Sequence, residues 1–166
     1  MSEEDREKAD AYAQQRGFSI QEPLGDGLHG SVWKVQRQDG TFSWVVKMHR
    51  YLPAWRRELL CYERLQELNI SRVAGAKVPQ LIRADEEWRA IEMTLVTAPF
   101  LLDFATAWLD ERPEFVPGAW EEAEAKAAEV FSQDWSRAQA VIQALEAETG
   151  IIMGDVHPGN LRLSGY

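Results

Sequence analysis

The run Gly25-Asp26-Gly27-Leu28-His29-Gly30 limits the fold more than any other stretch, because of what stands on either side of it. Phe18 to Leu24 precedes it and Ser31 to Arg37 follows, both rich in the β-branched and aromatic residues that favour strands. A glycine-spaced run that opened a helix would present the helix N-terminus to a bound pyrophosphate. Here Ser31-Val32-Trp33-Lys34-Val35 continues as a strand, so the run reads as a glycine-rich hairpin. Gln38-Asp39-Gly40 then leads into a third strand, Thr41 to Met48, and Asp-Gly accepts the positive φ of a tight antiparallel turn. The chain therefore opens with an antiparallel three-strand meander.

The rest of the pattern follows from spacing. Pro53 suits the first turn of a helix, and Ala54 to Leu68 places Leu59, Tyr62, Leu65 and Leu68 at three-residue intervals. Val78 to Ile82 and Arg89 to Val96 read as two more strands joined by a polar turn at Asp85-Glu86-Glu87. Leu101 to Leu109 is expected to be a short helix, followed by a loop bearing Pro113, Pro117 and Gly118. One long helix is then expected from Ala119 to about Glu148, ended by Gly150. Its stripe Phe131, Trp135, Ala138, Ile142 and Leu145 is expected to pack inward rather than to form an oligomer interface. Residues 1–17 form a charged arm, read as a solvated helix or a frayed end.

Composition excludes some functions. The 18 basic residues against 27 acidic ones leave a net charge of −9. That is a poor match for sequence-independent nucleic-acid binding, which depends on Lys and Arg at phosphates. The single cysteine, Cys61, has no partner for a disulfide or a thiolate metal site and is expected to be a buried thiol. The charged N-terminus is unlike a secretory signal, and no apolar run is long enough to cross a bilayer, so no membrane partner and a cytoplasmic location are expected.

Three further features carry chemistry. Lys47 closes the apolar run Val45-Val46-Lys47. A lysine in such a strand is commonly just an exposed residue on the wet face; after a glycine hairpin it can instead reach phosphates, if a carboxylate fixes it. Glu58 is favoured as that carboxylate because it shares a helix face with Tyr62 and Leu65; Glu63 is the alternative. Last, Ile151-Ile152-Met153-Gly154-Asp155-Val156-His157-Pro158-Gly159-Asn160-Leu161-Arg162-Leu163 is an apolar strand, a tight polar loop, and a return to alternating residues.

In this order the motifs resemble the protein-kinase-like superfamily, nearest to the aminoglycoside and choline phosphotransferases and related bacterial kinases, over residues 18–163. The resemblance implies an α+β kinase-like fold: a five-stranded antiparallel N-lobe with one helix (residues 18–97), and a reduced helical C-lobe ending in the catalytic loop (98–166). It implies ATP with Mg²⁺ as cofactors and phosphoryl transfer to a hydroxyl on a small molecule or protein. Gly25, Gly27, Gly30 and Val32 would cover the phosphates, and Lys47 held by Glu58 would grip them. The strand through Met93 and Leu95 would lead to the segment whose backbone binds adenine. Asp155 would orient or deprotonate the acceptor, and Asn160 would hold the metal. Fixed cations and N–H groups suit this chemistry because the transition state spreads negative charge over phosphoryl oxygens. His157 fits small-molecule kinases, or simply braces the loop.

The family pattern also requires an aspartate on the strand after this loop, and none lies between Asp155 and Tyr166. Three readings follow: a minimal phosphotransferase completed by a partner, a second copy of the chain or another carboxylate; a non-catalytic module that binds nucleotide or a partner protein; or a piece of a longer kinase. The acidic segment Trp108 to Asp134 would suit a cationic acceptor such as an amine, and a solvated helix face accounts for it equally well.

Overall fold

The computed structural model describes residues 2–114 and 117–163. Met1, Phe115 and Val116 of the proline-bearing loop, and Ser164 to Tyr166, where the reduced C-lobe was placed to end, lie outside the described residues. In chain order the elements are α1 (Glu3–Arg16), β1 (Phe18–Gly27), β2 (Gly30–Arg37), β3 (Ser43–His49), α2 (Leu52–Glu67), β4 (Arg72–Val73), β5 (Ala76–Lys77), β6 (Leu81–Asp85) and β7 (Ala90–Met93). These are followed by β8 (Phe100–Leu101), β9 (Trp108–Leu109), α3 (Ala119–Phe131), a 3-10 turn (Ser132–Asp134), α4 (Trp135–Thr149), β10 (Ile151–Ile152) and β11 (Leu161–Arg162). The arrangement is α+β, and the chain divides into two compact units: Met1–Leu59 with Leu81–Leu95, and Leu60–Gln80 with Val96–Tyr166.

The first unit is built on a five-stranded antiparallel sheet in the order β1-β2-β3-β7-β6. The Asp39-Gly40 turn forms as expected, with Gly40 at φ 74° and its N–H donating to the Arg37 carbonyl. Because side chains alternate along a strand, the sheet has two distinct faces. One carries Trp33, Val35, Trp44, Val46, Met48 and Ala90, which form one apolar cluster with Ala9, Tyr12 and Ala13 of α1. The N-terminal arm is thus a 14-residue helix with a buried face. An isolated helix of this length is marginal in water. A Ser2–Asp5 capping box starts it and left-handed Gly17 ends it. Burying side chains such as Tyr12 contributes roughly 1.5–3 kcal/mol apiece. Glu92 anchors the contact from within the sheet, its carboxylate accepting from Tyr12 Oη at 2.8 Å and Trp44 Nε1 at 2.9 Å. The other face carries Lys47 and His49, and the first half of α2 lies against it, with Trp55 Nε1 donating to the Ala90 carbonyl at 3.1 Å.

The second unit holds the rest of α2, α3, α4 and two small ladders, one in the order β11-β8-β5-β4 and one pairing β10 with β9. Leu101, Phe104, Ala105, Ala107, Leu145, Ile151 and Leu161 are fully buried there. Arg64 makes a two-pronged ion pair with Asp110 and also donates to the Thr149 carbonyl at 2.8 Å. Among the described residues no helix is long and apolar enough to cross a membrane.

Three expectations about local structure give way. Leu101 to Leu109 is not helical: its ends pair in β8 and β9, and Asp103 at φ 67° precedes a turn closed by the Ala107 N–H on the Phe104 carbonyl, in which Phe104 and Ala105 are buried. Pairing both ends outweighs the small gain of a nine-residue helix. The long helix after Ala119 breaks at Ser132, which takes φ 50°, so α3 and α4 are separate. Ser132 and Asp134 carry side chains that compete for backbone hydrogen bonds and so favour caps and turns. The fourth sheet strand begins at Leu81 rather than Val78, because Pro79 has no N–H for a ladder, and the Gln80 side-chain amide donates to the carbonyls of Ile70 and Val78 in the segment before it.

Candidate functional site

The chemistry-bearing groups fall into two sets, one in each unit. In the first, strand register explains the glycine spacing. Gly25 pairs with Val32, and Val32 with Lys47; one step along, Gly27 pairs with Gly30, and Gly30 with His49. Directly opposed residues in an antiparallel sheet share a face. Gly25, Gly27 and Gly30 therefore all strip side chains from the face on which Lys47 and His49 stand. The three glycines are not equivalent. A Cβ on Gly30 would lie 2.1 Å from the Met48 carbonyl oxygen, so the close approach of β2 to β3 requires glycine there. Among the described residues a Cβ on Gly25 or Gly27 would meet nothing within 4 Å, and neither has positive φ. The fold does not require these two glycines; a molecule lying against the bared face would.

Lys47 is buried, and its Nζ lies 2.7 Å from Oε2 of the fully buried Glu58. Glu63 is exposed. His49 shares the arrangement: its Nε2 is 2.7 Å from the same Glu58 oxygen, and its Nδ1 is 3.2 Å from the Arg89 carbonyl. Burial pushes the Glu58 carboxyl up, but the Lys47 ammonium and the His49 hydrogen bond outweigh it and hold the group down at about 2. Glu58 is thus a fixed anion, and among the described residues its second oxygen, Oε1, has no hydrogen-bond partner. Val32 is half-buried in the same cross-strand row as Lys47, Met93 is buried at the end of β7, and Leu95 is exposed.

In the second unit the loop between β10 and β11 is organised by Asn160. Its Oδ1 accepts from the His157 N–H at 3.0 Å and its Nδ2 donates to the Asp155 carbonyl at 2.6 Å. Its backbone is held as well, the N–H donating to the His157 carbonyl and the carbonyl accepting from Leu102. His157 Nδ1 accepts from the Gly159 N–H at 3.0 Å, which places the imidazole proton on Nε2 if the ring is neutral. That nitrogen lies 3.6 Å from Asp155 Oδ2. The Asp155 side chain is 62 % exposed and Asn160 only 2 %. Gly154 is required by packing, since a Cβ there would meet the Thr106 carbonyl at 2.4 Å. A groove runs beside the loop, lined by Ala119, Ala123 and Ala127 and by the Glu122 and Lys126 side chains of α3 together with Asp155 and His157. Alanines four residues apart keep one helix face shallow, which leaves it room.

The two implied cofactors fit unequally. A bared glycine face beside a buried lysine held in place by a glutamate suits a polyphosphate. Magnesium has no comparable donor set, because the Asn160 amide is engaged within its own loop. Among the described residues, no group of three or more His, Cys, Asp or Glu is placed to hold a metal ion.

Two residues escaped the reading of the sequence. His49 had a usable signal, since it stands two positions from Lys47 and must share its face. Arg50 had none. It donates to the Gly27 carbonyl, to Asp26 Oδ1 at 2.7 Å and to Asp5 Oδ2 at 2.7 Å, and Asp5 is distant in sequence. No protein-family model matches the sequence, and no curated protein matches it.

Proposed function

We propose that the chain is a kinase-like module whose first unit grips the phosphates of ATP and whose 154–160 loop supplies the acceptor-side aspartate of a phosphotransferase. The observation that carries this reading is the cross-strand row Gly25-Val32-Lys47, with two glycines that packing does not demand set beside a lysine locked to a buried glutamate. Backbone N–H groups of the hairpin and the Lys47 ammonium supply fixed positive charge, which lowers the cost of charge developing on a transferring phosphoryl group. Glu58 holds Lys47 in place through a 2.7 Å ion pair. His49 gives Glu58 a second donor, so the carboxylate stays placed while Lys47 engages a phosphate. The segment after Met93 is where adenine would be bound.

Asp155 is an exposed carboxylate on a braced loop, suited to accept a proton from an acceptor hydroxyl on a small molecule or protein lying in the alanine-floored groove. Magnesium is assigned to the triphosphate as part of the substrate, since Asn160 serves the loop. That use of Asn160 also favours a second reading, in which the chain binds nucleotide or a partner protein without turnover.

Calorimetric titration with ATP, with and without Mg²⁺, tests the nucleotide claim on the wild-type chain and on Lys47→Ala. Binding that is lost in the variant supports it, and no binding by the wild type under either condition sinks it. Measuring ATP consumption with Asp155→Asn separates the two readings. Turnover abolished by that change supports the enzyme, and nucleotide binding with no turnover in the wild type supports the non-catalytic module.

A further inference from the structure

We propose that Arg50 is a positioning residue that pins the glycine hairpin from the back of the sheet and so makes α1 part of the nucleotide grip; its functional half rests on the nucleotide reading above. The register carries the argument. Asp26 pairs with Ser31, and Ser31 with Met48. Met48 belongs to the apolar cluster that α1 covers, so Asp26 points to that face while its glycine neighbours bare the opposite one.

Arg50 follows the last residue of β3 on the α1 side. Its backbone N–H donates to the His29 carbonyl at the hairpin turn, 2.9 Å away. Its guanidinium holds the Gly27 carbonyl and the Asp26 carboxylate, and through the same Nη2 reaches Asp5 in the first turn of α1. Lys8, one turn further along α1, donates to the His49 carbonyl at 3.3 Å. A planar fork with several donors can join three acceptors at once, whereas an ammonium is a single point.

The consequence is specific to a hairpin of this composition. Gly25 and Gly27 carry no side chains and, among the described residues, meet no neighbouring atoms at their Cβ positions, so packing does little to fix their backbone. Glycine also has the most conformational freedom to lose on ordering. A clamp on the rear face restricts the hairpin without occupying the bared face. Asp5 is doubly committed, since its Oδ2 also accepts from the Ser2 hydroxyl and N–H in the capping box. The start of α1 and the hairpin therefore order together.

The test is hydrogen–deuterium exchange on the full chain, read at the backbone amides of residues 25–30 and compared with those of β3 and β7, for wild type, Arg50→Ala and Arg50→Lys, with ATP affinity measured on the same samples. Loss of charge-assisted bonds in Arg50→Ala should speed hairpin exchange about tenfold while β3 and β7 stay unchanged. The ATP Kd should rise about tenfold. Arg50→Lys should fall between the two. Asp5→Asn, which leaves the guanidinium on Asp26, should speed exchange in the first turn of α1 and, less, in the hairpin. Unchanged hairpin exchange in Arg50→Ala overturns the proposal, as does exchange raised equally throughout the first unit. Faster hairpin exchange with an unaltered Kd overturns the positioning role. Wild-type protein that binds no ATP, with the hairpin still responding to Arg50, overturns the nucleotide reading and leaves the clamp supported.

Discussion

The Lys47–Glu58–His49 cluster and the 154–160 loop both hold charged or polar groups in place, but by opposite means. The cluster is buried, and its geometry comes from burial: one carboxylate oxygen takes two donors at 2.7 Å. In the loop the reactive candidate, Asp155, is exposed, and placement comes from a neighbour that is not, the inward-turned Asn160 amide. Removing a charge should therefore be costly in the first region and nearly free in the second. In the second region the cost moves to the amide that braces it.

The largest effect expected is that of Glu58→Ala. Breaking a buried ion pair leaves an uncompensated charge and costs about 3–5 kcal/mol, which a chemical denaturation midpoint will show. A loss near that of an exposed pair would mean that water reaches Lys47. Next is Gly30→Ala, which must push β2 from β3 and should cost about 1–3 kcal/mol. Gly25→Ala and Gly27→Ala should stay within about 0.5 kcal/mol of wild type in the same experiment while weakening ATP binding. Equal losses at all three glycines would remove the distinction between packing and ligand roles. Asn160→Ala leaves the His157 N–H and the Asp155 carbonyl without partners and should cost about 1–2 kcal/mol.

The pH dependence sharpens the contrast. The Glu58 carboxyl is held at about 2 against an ordinary 4.5. Its stabilisation is therefore complete above pH 4.5 and is lost as pH falls from there toward 2. Stability measured across that window should fall less steeply in Glu58→Gln than in wild type. The smallest effect is that of Asp155→Asn, which should leave stability within about 0.5 kcal/mol because the side chain is solvated.

Sequence and structure agree wherever local periodicity sets the outcome. The meander, its Asp39-Gly40 turn and the pairing of Lys47 with Glu58 rather than Glu63 all follow from spacing, since Glu58, Tyr62 and Leu65 on one helix face are all buried. They part where a segment's state depends on what its ends meet. Leu101 to Leu109 looks helical in isolation, yet its ends are taken by β11 and β10. The N-terminal arm looked solvated because its charges outnumber its apolar residues. Only Ala9, Tyr12 and Ala13 needed a surface, and the sheet supplied one.

The sequence by itself determined the three-strand meander with its glycine-rich hairpin and Asp39-Gly40 turn, and the helix face that carries Glu58, Tyr62 and Leu65. These depend on neighbours two to four residues apart and on turn residues with fixed φ requirements. Tertiary structure alone decided that three glycines and Lys47 share a face, that Gly30 is demanded by packing while Gly25 and Gly27 are not, and that Arg50 ties α1 to the hairpin. Each of those depends on atoms from segments distant in the chain, and a one-dimensional pattern carries no record of which distant groups meet.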